Sequence, residues 1–311
     1  MRPILRAALA LVLAILLVGT LLRFATPGVL LAIAEDRQRS AAGMVERSVT
    51  LPDGLRMAYL EGGRGQMLVL LHDFGADKDS WLRIAPFLTP HYRVIVPDLA
   101  GFGDSSQRAD ADHSPSAQAA RLGAFCRALG IPATHVGGSG MGAQVALAWA
   151  AAQPREVQSL WLLAPTGLRA APESELARTL RESGRNPLLV RSDDDLVALP
   201  AYLAVKPAPS TLPAFLQDLQ KQERMRRRGL DERIYAQVAA EPVEAAAAQV
   251  RREAFLVFGG KDRIVDPRAA PLWRALLAKS HAMVLADTGH SPAVEQPERV
   301  ASDYVRFRDS M

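Results

Sequence analysis

One cysteine, Cys126, stands in 311 residues. No internal disulfide can form, and the redox compartment cannot be read from it. Its place in a helix-like stretch, residues 118–129, fits a small buried apolar side chain. No internal repeat, low-complexity tract or nucleic-acid motif occurs. A net charge of +4 spread over scattered arginines describes a solvated surface rather than a nucleic-acid footprint. Nor does a clear strand occur between about residues 169 and 250. The most consequential lack is a serine. His135-Val136-Gly137-Gly138-Ser139-Gly140-Met141-Gly142-Ala143 reads as a strand turning sharply into a helix. That is the setting of a Gly-x-Ser-x-Gly nucleophile turn. Two registers fit. Centring on Ser139 puts Met141 in the last glycine slot. Centring on Gly140 satisfies both flanking glycines, Gly138 and Gly142, and leaves the nucleophile position without a side chain.

What is present is a chain 49% hydrophobic and 23% charged, long enough for a large buried core. Arg2 and Arg6 precede an apolar run over residues 7–22 that Arg23 closes. A second apolar stretch, 29–34, follows Pro27-Gly28. The first run has no polar face, which argues against a buried amphipathic helix. Its length lies between a signal core and a full span. Residues 1–34 are therefore expected to form a membrane anchor or, less simply, a signal. The arginines before the run place the folded domain on the extracytoplasmic side. Residues 35–43 read as a polar linker.

Beyond residue 43, strand and helix signals alternate. Residues 48–51 and 55–61 flank Pro52-Asp53-Gly54, a hairpin signature. Apolar runs suit strands at 67–71, 92–96, 134–137, 157–163, 254–258 and 282–285. Helices are expected at 81–88, 116–129, 142–152, 267–278 and 297–307. This order predicts an α/β fold: a mostly parallel central sheet covered by helices on both faces, formed by 44–168 and 251–311. Residues 169–250 are helical, charged and proline-rich. They read as an inserted helical cap over the sheet's carboxyl edge, where open α/β sheets bind ligands. Within the cap, Arg224 and Arg226 to Arg228 form a basic cluster, expected as a solvated helix face. Contact with anionic lipid headgroups is its minority reading.

Two further loops carry chemistry. Asp262 follows the strand at 254–258 in Gly260-Lys261-Asp262, and His290 follows the next strand in Gly289-His290-Ser291. Hydrolysis by a serine triad needs an acid and a histidine in that chain order behind the nucleophile turn. The third loop, Leu71-His72-Asp73-Phe74-Gly75-Ala76, has the place of an oxyanion loop. Its usual form is His-Gly, and Asp73 replaces the glycine. A carboxylate there is electrostatically adverse to a developing oxyanion unless it turns away or is protonated.

From residue 55 to the C-terminus the chain resembles the α/β-hydrolase superfamily. It looks most like membrane-anchored monoacylglycerol lipases and their bacterial relatives. The matching stretches are His72-Asp73-Phe74-Gly75-Ala76-Asp77-Lys78-Asp79-Ser80-Trp81, Pro97-Asp98-Leu99-Ala100-Gly101-Phe102-Gly103-Asp104-Ser105, the turn from Gly138 to Gly142, Gly260-Lys261-Asp262 and Gly289-His290-Ser291. The resemblance implies the α/β-hydrolase fold and triad roles for Asp262 and His290. It also implies that the backbone N–H groups of Phe74 and Met141 form the oxyanion hole, and that the nucleophile position is Gly140. His-Asp together with a glycine at the turn resembles the N-myc downstream-regulated proteins, which keep this fold without hydrolase activity.

The leading expectation is thus a protein of lipase or esterase ancestry with lost or strongly reduced serine-hydrolase activity. It keeps an apolar site for a lipid-like or small-ester ligand and needs neither cofactor nor metal. The alternative is an active carboxylic-ester hydrolase that uses Ser139 or a water activated by His290. A third reading, proton transfer through His290 with Asp73, has no second motif behind it.

Overall fold

The computed structural model describes residues 11–16, 18, 27–207, 209 and 212–311. Its centre is an eight-stranded sheet in the order β1-β2-β4-β3-β5-β6-β7-β8. The strands are β1 Met44–Thr50, β2 Arg56–Gly62, β3 Gln66–Leu71, β4 Tyr92–Pro97, β5 Thr134–Ser139, β6 Val157–Leu163, β7 Glu253–Gly259 and β8 Ser280–Leu285. β1 and β2 form the expected hairpin around Pro52-Asp53-Gly54, and β2 is also antiparallel to β4. Every other pairing is parallel. The central strands are buried on both faces, so they are continuous apolar runs rather than alternating ones.

Two apolar clusters form, one on each face. Helices Pro115–Ala128 and Met141–Ala152 cover one side. Met141–Ala152 is built almost wholly of small and apolar residues, which lets its backbone lie close against the sheet. Helix Pro297–Asp309 covers the other side, where Tyr304 stacks on Trp161 at 4.1 Å between ring centroids. Cys126 is buried in the first cluster, and burial pushes its thiol up to about 12.

Between β6 and β7 run the helices Glu175–Ser183, Asp193–Leu203, Ala214–Arg226, Arg228–Ala240 and Glu244–Ala247. Their ends follow local chemistry. Ser174 caps the first helix and Gly184 closes it in the left-handed conformation. Ser192 and Asp195 form a reciprocal capping box at the second, whose first turn holds three aspartates.

Two expectations change. The segment expected as a linker, 35–43, is mostly helical: Pro27–Ala41 is one continuous helix, followed by a turn at Ala42 and Gly43. Pro27 and Gly28 begin it rather than separate two segments, because proline is tolerated in a helix's first turn. This helix is fixed by Arg39, which is buried against Asp79 and Glu46. The helix expected at 81–88 resolves into a 3-10 turn, Lys78–Trp81, and a short helix, Ala85–Leu88. The apolar run at 7–22 lies mostly outside the described residues. Among the described residues, no helix is long and apolar enough to cross a membrane.

The loops that bear the site are tied down by charge. Lys78 and Asp98 are both buried, and the Lys78 ammonium lies 3.0 Å from Asp98 Oδ2. Asp98 also accepts the backbone N–H groups of Lys78 and Asp104. Burial works against the Lys78 charge, but Asp98, Asp79 and Asp104 outweigh it and hold the ammonium above its ordinary range. Removing one partner of such a pair leaves a buried charge without compensation. Lys78→Met is expected to cost about 3 kcal/mol of stability, read as a lower urea midpoint.

Candidate active site

The site sits at the carboxyl ends of β3, β5, β7 and β8. β3 and β5 are neighbours, with Leu71 opposite Gly138 in register. The loop after β3 therefore lies beside the turn after β5. That turn is centred on Gly140, the N-cap of helix Met141–Ala152, with φ +50° and ψ −112°. Glycine adopts this backbone freely and other residues do so under strain. Gly142 is needed for another reason: a Cβ there would overlap the carbonyl oxygens of Leu71 and His72. Ser139 is the last residue of β5, opposite Leu163. The positive φ of the turn falls at Gly140 and not at Ser139.

The acid and the histidine meet as the sequence suggested. His290 Nδ1 lies 2.8 Å from Asp262 Oδ2. Asp262 Oδ1 accepts the backbone N–H groups of Ile264 at 2.7 Å and Val265 at 3.0 Å, which fixes the carboxylate's orientation. The cap holds the histidine loop, since the His290 backbone N–H donates to the Leu203 carbonyl at 2.8 Å. Glu295 ties the same loop to the cap by accepting from the backbone N–H groups of Gly289 and Val205.

Asp73 departs from its expectation. It neither turns away nor stands as an isolated adverse charge. Its Oδ1 accepts from the Phe74 N–H at 2.7 Å and from the Met141 N–H at 2.8 Å. Its Oδ2 lies 2.9 Å from His290 Nε2. The two backbone donors expected to form an oxyanion hole therefore converge on the Asp73 carboxylate. A Cβ added to Gly140 would overlap the same carboxylate. His72 sets this loop: its Nδ1 faces the Asp73 carbonyl at 2.8 Å, and Nε2 accepts from the Leu99 N–H at 3.0 Å. Accepting at Nε2 requires a neutral ring with its proton on Nδ1, and burial lowers the His72 pKa.

His290 lies between two carboxylates. Burial disfavours its charge, but Asp262 and then Asp73 more than offset this, and its pKa is pushed up to about 10. Each ring nitrogen faces a carboxylate oxygen, an arrangement that favours the imidazolium.

A cavity of about 510 Å³ opens onto Asp73 and His290. Its walls are mainly apolar and come from core and cap alike, among them Leu176, Leu180, Val238, Ile264 and Trp273. Gln144 is a polar exception. Its Nε2 donates to Thr166 Oγ1 at 2.6 Å, and its buried Oε1 has no partner among the described residues. A second cavity of about 370 Å³ shares Asp73, Phe74 and Leu203 with the first. Ser139 lines this second cavity, and the His290 Nε2 position it would need is taken by Asp73. Among the described residues, no cluster of side chains suits a metal ion.

The basic cluster divides. Arg226 is exposed and pairs with Glu223. Arg227 binds Asp231 and the Gly101 carbonyl and lies over the Phe102 ring. Arg224 turns inward to the second cavity. The single solvated face expected for all four arginines does not form.

Comparisons with known proteins agree with this architecture. The crystal structure of a membrane phospholipase A, a bacterial virulence factor, has a TM-score of 0.90 and 36% identity, covering 98% of each chain. Lipase 3 of Moraxella sp. (strain TA144) is 36% identical over 282 residues, 88% of both proteins. Human monoacylglycerol lipase ABHD6 is 25% identical over 260 residues, 80% of this chain and 77% of that protein. The alpha/beta hydrolase fold family matches residues 66–297, and the chain belongs to that family.

Proposed function

We propose that this chain is a lipid-binding member of the lipase branch of its family, without serine-hydrolase chemistry. One observation carries the reading: Asp73 Oδ1 occupies the two N–H groups that an oxyanion intermediate would need. Acyl transfer by a serine requires a side chain on the turn residue, a vacant oxyanion site and a neutral histidine to take the proton. Gly140 offers no side chain. Asp73 fills the vacant site. The same carboxylate helps to keep His290 protonated.

The alternatives meet the same obstacles. An imidazolium Nε2 has no lone pair with which to take a proton from water. The nitrogen that Ser139 would need already faces Asp73 Oδ2. A proton-transfer or lyase activity using His290 with Asp73 meets two groups already paired with each other, with Asp73 Oδ1 taken by the Phe74 and Met141 N–H groups. What remains is the cavity, whose size suits a small-molecule ligand and whose apolar walls suit an acyl chain. Relatives named as lipases support a lipid or ester as its occupant. Helix Pro27–Ala41 exposes Val29, Leu30 and Ile33, and residues 11–16 expose further apolar side chains. These support seating of the N-terminal segment at a membrane.

The test is fluorophosphonate labelling of the full chain, together with its turnover of p-nitrophenyl esters and monoacylglycerol. The expected result is no label and turnover within about tenfold of a Ser139→Ala control, far from the factor of a thousand or more that a working triad gives. A label that disappears in Ser139→Ala would assign the nucleophile to Ser139 and overturn the proposal.

A further inference from the structure

Arg224 lies in the last turn of helix Ala214–Arg226, and its guanidinium reaches the oxyanion loop over Gly75. The next two arginines have partners in Glu223 and Asp231. Arg224 makes no ion pair or hydrogen bond given among the described residues, although it faces the 370 Å³ cavity. Burial is the main influence on it and lowers its pKa. Asp231 and Asp77 offset this only in part, and Arg227 adds to it. The half-buried guanidinium stands at the cavity without an anion, and five donors in a rigid fork match the paired oxygens of a carboxylate or phosphate. Ser139 and Ser291 line the same cavity and supply hydroxyl groups, while the Ser80 hydroxyl already donates to the Asp77 carbonyl at 2.7 Å. The Asp73 carboxylate on the shared wall does not oppose an incoming anion strongly, because His290 and two N–H groups already hold it.

We infer that the smaller cavity is a headgroup subsite for a single-chain anionic amphiphile, a phosphate monoester or carboxylate that binds Arg224 while its chain lies in the larger apolar cavity. The two cavities meet at Asp73, Phe74 and Leu203, so one ligand spans both. The inference rests on the lipid-binding reading above and gives that site its charge selectivity. It also gives Ser139 a place in ligand binding rather than in catalysis.

Calorimetric titration of the full chain tests it with four probes: decyl phosphate, decanoate, uncharged monodecanoylglycerol and inorganic phosphate, the amphiphiles kept below micelle-forming concentrations. The native chain is expected to bind decyl phosphate or decanoate at least about tenfold more tightly than monodecanoylglycerol, the scale of one charge-assisted hydrogen bond. Arg224→Gln should bring that ratio to about one, and Arg224→Lys should keep part of it. An unchanged ratio in Arg224→Gln would place charge recognition elsewhere and overturn the subsite while leaving lipid binding intact. Inorganic phosphate binding as tightly as decyl phosphate would assign the site to the free anion and overturn the headgroup. Absence of binding by every amphiphile would overturn the lipid-binding reading and the subsite with it.

Discussion

Changing Asp73 to Gly and Gly140 to Ser together is expected to raise ester turnover by about a thousandfold over the native chain, while neither change alone does so. Gly140→Ser by itself restores a hydroxyl at the turn, but its Cβ would overlap the Asp73 carboxylate. The loop must then move, or the serine must leave its productive rotamer. His290 stays an imidazolium and cannot accept the serine proton. Asp73→Gly by itself frees the N–H groups of Phe74 and Met141 and returns His290 to pairing with Asp262 alone. It leaves no nucleophile beyond water. Only the double variant satisfies all three requirements at once. The coupling is therefore strongly non-additive, as expected of groups in direct contact. Burst kinetics with p-nitrophenyl esters and fluorophosphonate labelling of the four proteins measure it. Equal gains from Gly140→Ser alone and from the double variant would show that Asp73 does not obstruct the site, and the proposed function would lose its main support.

Much of this site was legible in the sequence, and the limits of that reading have physical causes. Asp262 and His290 could be placed because each follows an apolar run, and the parallel strands β7 and β8 deliver their following loops to one edge. Phe74 and Met141 were named by the family resemblance alone. The orientation of Asp73 was not legible. Residue type gives its charge, but two of the donors that hold it, Met141 and His290, lie 68 and 217 residues along the chain from it, the first brought close by the pairing of β3 with β5. The choice between Ser139 and Gly140 was also open, because glycines surround both and only the positive φ at Gly140 decides it. The four arginines looked alike for a similar reason. One helix ends at Arg226 and the next starts at Arg228, so the chain changes direction inside the cluster and adjacent residues face different surroundings.

Stability should fall on the alkaline side in a way that depends on Asp73. The His290 pKa rises from 6.5 to about 10 on folding. A group whose pKa is raised by folding contributes stability that is fully present below its unfolded pKa and is lost as pH climbs through its folded one. The contribution is therefore intact at pH 6.5 and lost progressively up to about pH 10. Asp73→Asn keeps an oxygen for the Phe74 and Met141 N–H groups but removes one of the two carboxylates that hold the imidazolium. The Asp262 share persists, so the slope should become shallower without vanishing. Urea unfolding of both proteins between pH 6.5 and 10 reads the difference, and taking that difference cancels the alkaline titration of groups they share. Nitrogen-resolved NMR adds a direct observation: at pH 8 both His290 ring nitrogens should carry protons in the native chain. Parallel pH profiles for the two proteins, or a neutral His290 ring at pH 8, would mean that Asp73 does not keep the histidine charged. The native ring would then be free to act as a base.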